Sequence, residues 1–179
     1  MGFIMFTASR MKTIEPPDAH LLNAAMGWLG LGLPVDAEAE IERITPSLRT
    51  HPDVLEVRWQ ICAARKGWQA CLDLANELRE AAPDRPGSWI NRAYSLRRVE
   101  GGGLPLAQEC LMQALASFPV EPVILFNLAC YACQLGDMEA ARQWLNRALR
   151  AGSEAVIKKM ALNDPDLEAL WPELVAERI

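Results

Sequence analysis

With 179 residues, 51% of them hydrophobic, the chain suits one domain and carries enough apolar side chains for a sizeable core. A net charge of −5, a pI of about 5.1 and the lack of any Lys/Arg-rich run exclude the electrostatic footprint of a nucleic-acid binder. No apolar stretch reaches the roughly 20 residues that a membrane-spanning helix needs.

Residues 1–17 read as a mobile tail. The opening Met1-Gly2-Phe3-Ile4-Met5-Phe6 is too short for a signal peptide and has no basic leader. Phe6 also breaks the myristoylation pattern. Met11 is an alternative start that would leave residues 1–10 outside the native protein. A competing reading docks Phe3, Ile4 and Phe6 on a neighbour or in the chain's own groove.

From there on, small and apolar residues recur at a fixed period. Leu21, Leu55, Trp89 and Leu125 are 34, 34 and 36 residues apart, and Ala25, Trp59, Ala93 and Ala129 keep the same spacings. Ala37, Cys71, Ala107 and Ala141 follow at 34, 36 and 34, so two extra residues lie between Ala93 and Ala107. That interval contains Gly101-Gly102-Gly103, which is loop chemistry. Such a period means repeated structural units over 18–51, 52–85, 86–121 and 122–155. Within each unit, apolar residues at three- and four-residue spacing predict amphipathic helices. Gly32 and Gly136-Asp137 punctuate them, Pro52, Pro86, Pro105 and Pro122 fit first-turn positions, and Asp18, Asp36, Asp53 and Asp137 fit helix starts. Further helices are expected at Glu154–Ala161 and from Pro165, so that 156–179 caps the array. Lys158, Lys159, Glu168 and Glu173 would supply a polar outer face. The expected fold class is all-α.

The fourth unit carries a family resemblance. Leu125, Leu128 and Ala129, the turn Gly136-Asp137, and then Ala141, Leu145 and Ala148 resemble the signature of the tetratricopeptide repeat, a helix–turn–helix unit of 34 residues. Trp89, Ala93, Ala107, Leu111, Ala114 and Pro119 match it in the third unit, and Leu21, Ala24, Ala25, Trp28, Gly32, Ala37, Ile41 and Ile44 in the first. The second is weakest, because Trp59 and Cys71 stand at small-residue positions. The resemblance covers roughly residues 18–155 and implies an α-solenoid of about four helical hairpins with a C-terminal cap. The Asp164-Pro165-Asp166-Leu167 segment is similar to the end of many bacterial members.

Chemistry finds little support. His20 and His51 fall near helix starts, and no nucleophile, Walker or dinucleotide motif is present. Cys130 and Cys133 lie mid-helix, away from the helix N-terminus that would stabilise a thiolate. Cys62, Cys71 and Cys110 are scattered singly, so no second pair completes a zinc site. Cys62 and Cys71 are expected to be buried as small hydrophobes. Five cysteines without a framework fit a reducing, cytoplasmic compartment. The expectation is a non-enzyme with no cofactor and no metal.

What the resemblance implies instead is a concave groove for a peptide or partner helix. Carried over by position, that groove falls on Ala19, Leu22, Met26 and Leu29, then Asp53, Glu56, Gln60, Ala63 and Ala64. It continues on Ile90, Asn91, Tyr94, Arg97 and Arg98, and ends on Val123, Phe126, Asn127, Cys130 and Gln134. Leu22, Met26, Ile90, Tyr94 and Phe126 would make one apolar strip for a protein segment with apolar anchors. Several of these could equally pack beneath a terminal segment. The basic residues that let some members clamp a chaperone's terminal carboxylate are missing around Asn91 and Asn127, which argues against that partner. The alternatives are self-assembly into a homo-oligomer through groove or end cap, and a small acidic secretion-type chaperone.

Overall fold

A computed structural model of the chain describes residues 13–176. Among these residues there are ten α-helices and no strand. The first eight form consecutive pairs: α1 (Asp18–Gly30) with α2 (Pro34–Glu42), α3 (Pro52–Ala64) with α4 (Trp68–Ala81), α5 (Pro86–Leu96) with α6 (Leu104–Ala114), and α7 (Pro122–Gln134) with α8 (Met138–Ala151). Then come α9 (Glu154–Ala161), a 3-10 helix Pro165–Leu170, and α10 (Trp171–Val175).

The starts are chemically marked. Pro34, Pro52, Pro86 and Pro122 open their helices, where a missing N–H breaks no helical hydrogen bond. Asp137 caps α8 by accepting from the Ala140 N–H at 3.0 Å, and His51 Nδ1 caps α3 by accepting from the Asp53 N–H at 3.2 Å. Asp18 behaves differently: it is buried, and its carboxylate accepts from the Thr45 N–H and hydroxyl at 2.7 and 2.9 Å, tying α1 to the end of α2. Short turns at 31–33, 65–67 and 135–137 reverse the chain within three of the pairs, whereas α5 and α6 are joined by the longer 97–103 segment. Its glycines are needed: a Cβ on Gly102 would lie 2.0 Å from the Leu96 carbonyl oxygen.

Helices pack on their sequence neighbours, and α1 lies against α3 as α5 lies against α7. Close approach follows from small side chains, since Ala25, Ala37, Cys71, Ala93, Ala107, Ala129 and Ala141 are all fully buried. One core cluster runs from Ala93 to Leu174. Upstream there are two smaller ones, Leu22 to Ile61 and the trio Leu55, Leu74 and Leu78. Trp59 borders the second of these. It stands where the other units have alanine, is half-buried beside the trio, and donates its indole N–H to Ser95 Oγ at 3.0 Å.

Several expectations need correction. Ile14 packs against the first core cluster, so residues 13–17 are not free of the fold; residues 1–12, including Phe3, Ile4 and Phe6, lie outside the described residues. Cys62 is half-buried rather than sealed in the core. Glu173 is half-buried and paired with Arg142 of α8 instead of standing free on an outer face. Among the described residues no helix is long and apolar enough to cross a membrane.

Candidate partner-binding surface

The residues expected to line one groove fall into two environments. On α1, Leu22 is buried, Leu29 is half-buried against the first core cluster, and Met26 is 45% exposed. On α3, Glu56 is half-buried and Gln60 exposed. On α5, Ile90 is half-buried against the large core, Asn91 is buried, and Tyr94 is 36% exposed. On α7, Phe126 and Cys130 are buried, and half-buried Asn127 donates its amide N–H to the Val123 carbonyl at 2.8 Å. A continuous apolar strip from Leu22 to Phe126 is therefore not presented to solvent. Leu22 faces core, and Phe126 and Cys130 are covered.

Their cover is the chain's own C-terminal segment. The 3-10 helix packs on α7, and Phe126 shares one buried cluster with Leu167, Leu170 and Leu174. Polar contacts fix it there. Arg97 forks onto Asp166, its Nη2 donating to Oδ1 at 2.9 Å and its Nη1 to Oδ2. Gln134 donates its amide N–H to the Asp166 carbonyl at 3.0 Å. The Cys130 thiol lies 3.7 Å from Asp164 Oδ2, and Asp164 in turn accepts from the Asp166 N–H. Trp171 donates its indole N–H to the Ala161 carbonyl at 2.8 Å. A planar guanidinium meeting a carboxylate through two parallel bonds gives geometric specificity as well as energy.

The same residues form the tightest ligand-like grouping among those described. Donor atoms of Cys130, Asp164 and Asp166 lie within 4.8 Å of one another. Their chemistry is nevertheless that of an internal network. Burial, reinforced by Asp164 and Asp166, pushes the Cys130 thiol up and keeps it protonated, while the Arg97 fork already balances Asp166. Burial likewise raises the Tyr131 hydroxyl, over whose ring Arg97 sits at 5.6 Å. Cys71 is pushed up to about 11 by desolvation, which leaves it a thiol at neutral pH.

The open surface lies upstream, where α3, α4 and α5 meet. Tyr94 is edge-on to Trp59 at 5.8 Å and tilted against Trp68 at 6.0 Å. Arg98 lies over both Tyr94 and Trp68, at 3.5 and 5.3 Å from the ring centroids. Two clefts flank this half of the molecule. One, of about 240 Å³, is lined by Glu38, Glu42, Asp73 and Glu77 with Arg58. The other, of about 330 Å³, is lined by Leu22 and Asn23 with His51, Asp53 and Arg85. Sequence reasoning missed Trp68 and the pairing of Asp166 with Arg97 and of Glu173 with Arg142. Trp68 stands at a helix start and the two acids in the cap, outside positions where periodicity assigns a groove.

No family model matches the chain, and no curated protein matches it.

Proposed function

We propose that this chain is a tetratricopeptide-type α-solenoid and a non-enzymatic protein-interaction module, working by holding a segment of another protein. The observation that carries this reading is the side-by-side packing of α1 on α3 and of α5 on α7, with an exposed aromatic, Tyr94, on that layer. The groove it would use is shorter than a four-unit array offers. Met26, Gln60 and Tyr94 provide the accessible positions, and the α7 end is filled by the chain's own cap. Exposed aromatic and apolar positions of this type commonly anchor partners, and stacked helices accept a helix or an extended segment.

The test is capture from the native cell followed by mass spectrometry, with the parent chain and a Met26→Asp/Tyr94→Ala variant side by side. Partners retained by the parent and lost by the variant, at unchanged helicity, support the reading. Equal retention moves the functional surface elsewhere. A second reading, self-assembly, is favoured by apolar side chains exposed at both ends: Leu31 and Val35 near α2, Val156 and Met160 on α9. Light scattering that finds a concentration-independent monomer overturns it.

A further inference from the structure

We propose that Arg98, held flat on Tyr94 where α4 meets α5, is a docking point for an Asp or Glu side chain of an acidic protein segment. An apolar neighbour of that carboxylate would seat against Tyr94 and Trp68. The inference rests on the interaction-module reading and names the chemistry of the partner.

Arginines close to this site in sequence use their charge differently. Arg65 pairs with Glu38 and Arg97 with Asp166. Arg98 makes no ion pair among the described residues, Glu100 two positions on included, and its one hydrogen bond runs from Nη1 to the Tyr94 carbonyl at 3.1 Å. A guanidinium carries five N–H donors in a fixed fork, so most of them remain available for an acceptor. Its faces are held differently. The Cζ is 3.5 Å from the Tyr94 centroid and 5.3 Å from that of Trp68, so both rings fix the guanidinium and thin its hydration. A fork pre-set on aromatic faces matches a carboxylate bidentately and loses little freedom on binding it.

The surroundings fit the same ligand. Lys66, exposed and with no described partner, stands two residues before Trp68, whose N–H donates to the Lys66 carbonyl at 3.0 Å. The chain as a whole is acidic, with a net charge of −5, so the Arg98 fork, free of any ion pair among the described residues, is a local exception. Locally positive surface on an acidic protein selects for an acidic segment and steers its approach. Trp59 backs the site by holding Tyr94 edge-on and anchoring to Ser95.

The experiment selects a random peptide library displayed on phage against the full chain, then measures affinities with synthetic peptides. Enrichment of Asp or Glu beside an aromatic or aliphatic residue is expected. On the parent protein, changing that acid to its amide should weaken binding about tenfold or more, without touching the protein. Arg98→Gln should cause a similar loss for the acidic peptide and almost none for its amide version, at unchanged helicity. Selected peptides with no acidic residue, or an acid whose removal changes nothing, overturn the Arg98 assignment while the groove reading survives. If no peptide is selected, or selected peptides are indifferent to Met26→Asp and Tyr94→Ala, both fall.

Discussion

Residues 13–85 and residues 86–176 use the same sequence period and reach different states. In the later region one buried cluster joins α5, α6, α7, α8, α9 and the C-terminal segment, with alanine at both close-packing positions of α5 and α7. In the earlier region the buried residues form two smaller clusters, one between α3 and the first pair and one between α3 and α4, and Trp59, in an alanine's place, ties α3 to Ser95 of α5. The difference teaches where a repeat can keep an open surface. Where the small residue is present, the layer closes and its free end is sealed by the cap. Where a tryptophan intrudes, aromatic and cationic groups stay at the surface around Tyr94.

The largest expected effect tests whether the cap belongs to the later core. Leu167 is fully buried, so Leu167→Ala should cost about 2–5 kcal/mol in urea denaturation through lost burial and the cavity left behind. A cost below about 1 kcal/mol would mean that the segment merely leans on α7 and that the two regions differ less than their cores suggest. Arg97→Ala should come next, at about 1–3 kcal/mol, because it strands the half-buried Asp166 carboxylate and removes the contact with Tyr131. Hydrogen exchange should then speed up in 165–175 and not in α1–α4.

The turns give a smaller, signed contrast. Gly136, at φ +83°, sits in the α7–α8 turn, and Lys66, at φ +59°, sits at the equivalent point of the α3–α4 turn. The left-handed conformation suits glycine and strains a residue with a Cβ. Lys66→Gly should therefore stabilise the chain by about 1 kcal/mol, and Gly136→Lys should destabilise it by a similar amount. A neutral Lys66→Gly would show that an interaction of the lysine offsets the strain.

Much of the helical framework is legible in the sequence, and the reasons are local. Proline and aspartate mark helix starts, glycine marks turns, and the 34-residue period places Ala25, Ala93 and Ala129 in close contacts before any coordinates are seen. Which groove positions stay open is not legible in that way. Phe126 and Cys130 occupy the expected groove positions by register, yet both are buried, and the segment packed on α7 brings Asp164 to the Cys130 thiol from 34 residues away in sequence. Periodicity has no channel for such a contact, because the cap follows the last unit and repeats nothing. The Arg98 platform is half legible: Tyr94 and Arg98 are four residues apart, the second just past the end of α5, but Trp68 reaches them from another unit.

The smallest expected effect concerns pH and the attachment of α10. Glu173 accepts two hydrogen bonds at 2.8 Å from Arg142, whose guanidinium holds the carboxyl below its ordinary range. A carboxyl whose pKa is depressed by folding binds protons more readily in the unfolded chain. Its contribution is therefore complete above the unfolded pKa and fades as pH falls through the folded one. Docking of α10 on α8 should weaken only in acid, below the ordinary carboxylate range, and be flat across neutral pH. Because both partners are near solvent, added salt should reduce the effect. Glu173→Gln should lower the neutral-pH stability slightly, meet the parent in acid and so flatten the acid limb, followed by hydrogen exchange in 171–175. An acid limb identical in parent and variant would show that the fork does not hold α10, and that Leu174, buried in the large core, does so alone.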